Sequence, residues 1–173
     1  MQEDTEIITI RVPKSLKIKL EEKSKKQEQA LNLTINKILA KELQWDDYTS
    51  DMRWLAFDPA VVREIFYHLN EEQIRQIAKQ VKGTIISSIK FIYEYPTIEN
   101  TIDFIESWCK ASNLSYRLTK NDHYKLIVNH DMGKNWSLFA ILLTGEFCSD
   151  LGFTCTNTMV ESKSYSFETK TKA

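Results

Sequence analysis

The densest run of side chains able to do chemistry is His130-Asp131-Met132-Gly133-Lys134-Asn135-Trp136-Ser137. It falls where a strand is expected to hand over to a helix N-terminus, whose free N–H groups suit an anion or a polar ligand. There His130 could move a proton, Trp136 could stack on a flat ligand, and Asp131 could cap the helix. His130, Asp131 and Trp136 are therefore the candidate ligand-binding residues of the C-terminal half. The simpler reading of the same residues is structural: Asp131 a cap, Gly133 the relief of a turn, Trp136 part of the core. Trp108 and Phe139 read as core aromatics by the same logic.

Nothing else in that half makes a catalytic constellation. There is no GxSxG, no HExxH and no glycine-rich phosphate loop, and the whole chain has only four Gly. No enzymatic activity and no cofactor are expected. Cys109, Cys148 and Cys155 form no CxxC pair, and an odd count in a reducing compartment points to free, buried thiols. A metal site would have to draw on His123, His130 and Cys148. His123 and His130 are an odd number of residues apart, which on a strand puts them on opposite faces. No metal site is expected.

A second set of reactive types opens the chain. In Ile7-Ile8-Thr9-Ile10-Arg11-Val12 the apolar Ile8, Ile10 and Val12 face one way and Thr9 and Arg11 the other, as along a strand. Pro13 stops the strand and suits the first turn of a helix. Helices are expected over about Lys14–Gln27 and Leu31–Leu43. A lone strand cannot pair its own backbone, and a two-stranded ribbon is marginal without packing partners. The simplest solution is two copies of the chain that pair this strand over four helices. Between Arg11 and Lys41 nine basic residues face only Glu21, Glu22 and Glu28. That local excess of positive charge suits phosphate.

The alternating ITIRV, the Pro13-Lys14-Ser15 helix start and the apolar Leu31, Ile35, Ile38, Leu39 and Leu43 together resemble the ribbon-helix-helix DNA-binding fold of the Arc, MetJ and CopG repressors. The resemblance covers about the first quarter of the chain. It implies an intersubunit ribbon in the major groove of double-stranded DNA, with Thr9 and Arg11 reading base edges and Ile7 at the ribbon edge. It also implies a phosphate held at the start of the second helix, near Asn32 and Thr34, with Lys14 among the DNA-contacting residues. The turn departs from the family pattern, with Glu28, Gln29 and Ala30 where Gly and Ser are common. The whole chain also resembles archaeal-type proteins that join this module to an α+β domain bearing an HDxGxxWS string.

The elements that must position these residues follow from the rest of the chain. Of 173 residues, 42% are hydrophobic and 27% charged, with a net charge of −1, ordinary values for one domain or two small ones. No apolar run approaches the roughly 20 residues of a membrane span, and the acidic start MQEDTE is no signal peptide. A cytoplasmic location with no membrane partner is expected. Asp46–Asp51 reads as a linker and Arg53–Phe57 as a short strand. Asp58-Pro59 starts a helix to about Leu69, with Val62, Ile65, Phe66 and Leu69 on one face. Asn70…Gln73 starts another by the capping logic. It runs to Tyr95, with its end beyond Ile85 deeply buried. From Thr97 an α-β-β order occurs twice, offset by 39 residues. Helix Ile98–Ser112 precedes strands near Leu114–Thr119 and His123–Asn129. Helix Lys134–Cys148 precedes strands near Phe153–Met159 and Lys163–Glu168.

The expected fold is α+β. Residues 1–45 form a ribbon-helix-helix domain, 46–96 a linker and helical segment, and 97–173 an α-β-β-α-β-β domain around a four-stranded antiparallel sheet. The expected function is that of a dimeric, sequence-specific transcriptional regulator with two parts: a DNA-reading ribbon, and a second domain that strengthens the homodimer, builds a higher oligomer or senses a small-molecule effector. Two alternatives remain open. One is an antitoxin whose C-terminal part masks a toxin; the other is a small-molecule-binding or enzymatic domain tethered to DNA.

Overall fold

The computed structural model describes residues 6–43, 55 and 57–171. The chain divides into two units, Met1–Leu43 and Gln44–Ala173. The helical segment expected as a separate region thus belongs with the C-terminal half. The expected linker Asp46–Asp51 lies outside the described residues. So does most of the expected strand Arg53–Phe57, of which Leu55 and Phe57 are described and have no regular structure.

The first unit holds α1 (Lys14–Lys26) and α2 (Leu31–Lys41). Pro13 precedes the first turn of α1, and its carbonyl accepts from the N–H groups of Leu16 and Lys17. The helix stops because Glu28 takes a left-handed conformation, φ 52°. The Glu28 N–H then reaches the Lys25 carbonyl at 3.1 Å and the Gln29 N–H the Ser24 carbonyl at 3.0 Å. This paired closure of a helix end usually uses Gly. A glutamate fills the position here. The expected strand over residues 7–12 is absent: the segment has no regular structure and no ladder. One chain offers it no partner, and a strand exists only by pairing.

The second unit begins with α3 (Pro59–Tyr67). Asp58 caps it through a 2.7 Å bond from the Ala60 N–H, with Pro59 in the first turn. Then comes α4 (Glu71–Tyr93), opened by a reciprocal capping box between Asn70 and Gln73. Ile74, Ala78 and Ile89 on α4 are fully buried. Two expectations fail here. Ile65 on α3 is 54% exposed, and past Ile89 the end of α4 leaves Phe91 exposed, as it does Tyr95 beyond it. The apolar residues there are spread around the helix, and only one stripe of a helix can face a core.

Next come α5 (Ile98–Ala111), β1 (Ser115–Lys120), β2 (Tyr124–Asn129), α6 (Lys134–Asp150), β3 (Phe153–Val160) and β4 (Ser164–Thr171). The repeat expected from the sequence is present in the element order. At an offset of 39 the helix ends also correspond. Asn113 closes α5 at φ 54° and Gly152 closes α6 at φ 85°. The four strands form one antiparallel sheet in the order β1-β2-β4-β3. At its centre Leu126 pairs with Phe167 and Val128 with Tyr165. These four side chains are buried with Ile89, Ile102, Phe104, Trp136 and Phe147 in a core that α4, α5 and α6 share with the sheet. The protein is therefore α+β, with six helices and one four-stranded antiparallel sheet among the described residues.

Candidate functional site

In the first unit Ile7, Thr9, Arg11, Lys14 and Asn32 are all exposed. Ile7 is 97% exposed. The exception is Thr34. Its side chain is 1% exposed, and its hydroxyl has no hydrogen-bond partner. Thr34 sits one turn into α2, where its N–H bonds to the Ala30 carbonyl at 3.0 Å, and the helical twist turns it inward. Its side chain therefore does not present itself to a phosphate. Asn32 and the first N–H groups of α2 remain outward. Among the described residues of this unit only Ser24 and Thr34 are buried, both polar. Meanwhile Leu16, Ile18, Leu33, Ile38, Leu39 and Leu43 are exposed.

In the second unit the string from His130 to Ser137 joins four elements. The Met132 N–H donates to His130 Nδ1 at 3.1 Å. That nitrogen must therefore be the unprotonated one, and Nε2 carries the proton. His130 Nε2 lies 2.7 Å from Ser137 Oγ and donates to it. Ser137 Oγ in turn donates to the Glu161 carbonyl at 2.6 Å. The His130 N–H bonds to the Lys163 carbonyl at 2.8 Å. Histidine and serine thus fasten the end of β2 and the first turn of α6 to the β3–β4 hairpin. Burial pushes the His130 imidazole below its ordinary value, against a smaller upward pull from Asp131.

The neighbouring residues are spent in the same way. The Asn135 amide donates to the carbonyls of Phe66 at 2.9 Å and Leu69 at 3.0 Å, and so closes the open end of α3. Arg63 reaches the Asp131 carbonyl at 3.2 Å. Asp131 does not cap α6 as expected: the N-cap is Gly133, without a side-chain bond, and the exposed Asp131 carboxylate lies 4.0 Å from Lys163. Gly133 sits at φ 85° and ψ 168°, a conformation almost reserved for glycine. The chain enters the helix at an angle that leaves a side-chain cap out of reach. Trp136 is buried, stacked on Trp108 at 5.9 Å and edge-on to His130 at 4.6 Å.

The His130–Ser137 pair resembles a nucleophile and its base only in composition. A general base must accept the hydroxyl proton, whereas His130 Nε2 donates to Ser137, which is 0% exposed. His130 and Trp136 are brought together and buried, while Asp131 is turned to the surface. The sequence reading passed over Ser137 and Asn135. The signal available was their place in the first turn of a helix, where polar side chains bond to backbone. It also passed over the pairing of the Cys148 and Cys155 thiols, whose interaction raises Cys148 and lowers Cys155 from their ordinary values. All three cysteines are free. Among the described residues no group of three or more His, Cys, Asp and Glu side chains is placed to hold a metal, and no helix is long and apolar enough to cross a membrane. No family model, curated protein or solved structure matches the chain.

Proposed function

We propose that the chain is a sequence-specific DNA-binding transcriptional regulator that works as a homodimer through a ribbon-helix-helix module at residues 6–43. One observation carries the proposal. In the single chain this unit has two helices, no buried apolar residue and a row of exposed Leu and Ile side chains. Units of this size rarely hold a core alone. A second copy supplies the missing half of the core, and segment 7–12 supplies the ribbon that lies over it. Thr9 and Arg11, both exposed, then point away from the helices toward DNA. The nine basic residues between Arg11 and Lys41 supply the sequence-independent grip.

In the module so assembled Arg11 donates two hydrogen bonds to a guanine edge, and Thr9 contacts a base or a thymine methyl. Asn32 and the first N–H groups of α2 meet a phosphate. The test is selection of bound duplexes from a random pool by the full chain, followed by titration of the selected site. Arg11→Ala is expected to cost about 1–3 kcal/mol of discrimination at the position it reads. Recovery of no enriched site, or an unchanged preference in the variant, would overturn the proposal.

A further inference from the structure

Between α4, α5 and α6 the second unit contains a pocket of about 260 Å³, half open to the surface. Its walls include Phe104, Trp108, Trp136, Phe139, Phe147 and Tyr165. Val81 and Ile85 of α4 close another side, and Ala140 and Leu143 of α6 a third. No lining residue is charged. The only polar functions the lining residues carry are the hydroxyls of Thr144 and Tyr165 and the two indole N–H groups.

We infer that this cavity is a binding site for a small, neutral, flat apolar molecule of roughly one or two rings. Three features select that class. The first is size: about 150 Å³ is enough for a benzene ring, and this pocket is larger. The second is charge. An ionised ligand would lose its hydration and find no counter-charge in the wall, at a cost no hydroxyl repays. The third is shape. Trp108 and Trp136 stack on each other within 18° of parallel and both line the space, so a flat ring would meet a largely aromatic wall. Close packing is the rule in a protein interior, yet the flanking positions carry small side chains, Ala140 and Thr144, where larger ones would have filled the gap.

The site is distinct from the His130–Ser137 junction and does not depend on the DNA-binding reading. Either can fail without the other. Trp136 belongs to both, since one edge packs on His130 and the indole also lines the cavity.

The test uses the full chain with toluene and indole as neutral probes and benzoate as the charged one, followed by calorimetry. The neutral probes are expected to saturate a single site, with benzoate at least about tenfold weaker. Ala140→Phe fills the cavity and is expected to abolish binding while circular dichroism stays unchanged. If that variant does not fold, fluorine-labelled tryptophan in the unmodified chain reads the same question: the Trp108 and Trp136 resonances must move on addition of toluene. No saturable binding of either neutral probe overturns the inference. So does benzoate binding as tightly as toluene, a folded Ala140→Phe variant that still binds, or binding that leaves both tryptophans unmoved.

Discussion

At His130 a single buried ring sets the protonation state of a whole junction. Its Nδ1 accepts from a backbone N–H, so protonation there would break the bond to Met132. Burial lowers the imidazole below its ordinary value. The sign follows. In the folded state the ring binds a proton less readily than in the unfolded chain, so the unfolded state takes up the proton first. Stability is therefore full above about pH 6.5 and declines as pH falls through that value, by up to about 1.4 kcal/mol per pH unit. The decline levels off below the lowered folded value. His130→Gln keeps a donor and an acceptor but removes the titration. Thermal melts across this range are expected to show a shallower acid decline in the variant, and identical slopes would count against it. The sequence made His130 visible as a reactive type. It did not show the direction of its bonds, because Glu161 and Lys163, which receive the junction's bonds, lie a whole helix and a strand away.

Among the elements, those whose ends are fixed by neighbours in sequence were legible. Asp58-Pro59 and Asn70…Gln73 start α3 and α4 where the capping chemistry puts them. Strands were expected close to where β2 and β4 lie, but their burial was not, since β4 is buried without alternation from Tyr165 to Thr169. The start of α6 at Lys134 is as expected, but its cap is not, because Gly133 in a rare conformation takes the place of Asp131. The end of α1 is a different case. Glu28 holds a left-handed backbone that costs a residue with a Cβ about 1–2 kcal/mol relative to glycine. Glu28→Gly is therefore expected to stabilise the first unit by about 1 kcal/mol in chemical denaturation, less any entropy glycine loses. A destabilised variant would mean that the glutamate side chain contributes more than its backbone costs. The cavity was not legible at all. Its walls come from three helices and a strand, and no local pattern records a gap where helices fail to meet.

For the molecule as a whole, the two units differ in self-sufficiency. The second has a continuous core of buried Ile, Leu, Val, Phe and Trp side chains. The first has none. If a second copy completes it, protection of the α1 and α2 amides is linked by mass action to protein concentration, whereas that of β2 and β4 is not. Hydrogen exchange on the full chain, measured over a dilution series, is expected to show α1 and α2 losing protection while the central strands keep theirs. Equal protection at every concentration would mean that residues 6–43 hold together alone. The alternation of residues 7–12 predicts a strand that the single chain does not form; in the proposed dimer the second copy would supply its partner.

The order β1-β2-β4-β3 has a consequence for biosynthesis. The innermost strand, β4, leaves the ribosome after every other strand has been made, and β2 has no inner neighbour until it arrives. Residues 6–43 are translated more than a hundred residues earlier, on the order of ten seconds at ordinary elongation rates. Through that interval the nascent chain exposes the apolar side chains of its first unit, and late in it the open β1–β2 hairpin. If the first unit pairs as proposed, neighbouring polysomal chains would associate through it before either sheet has closed.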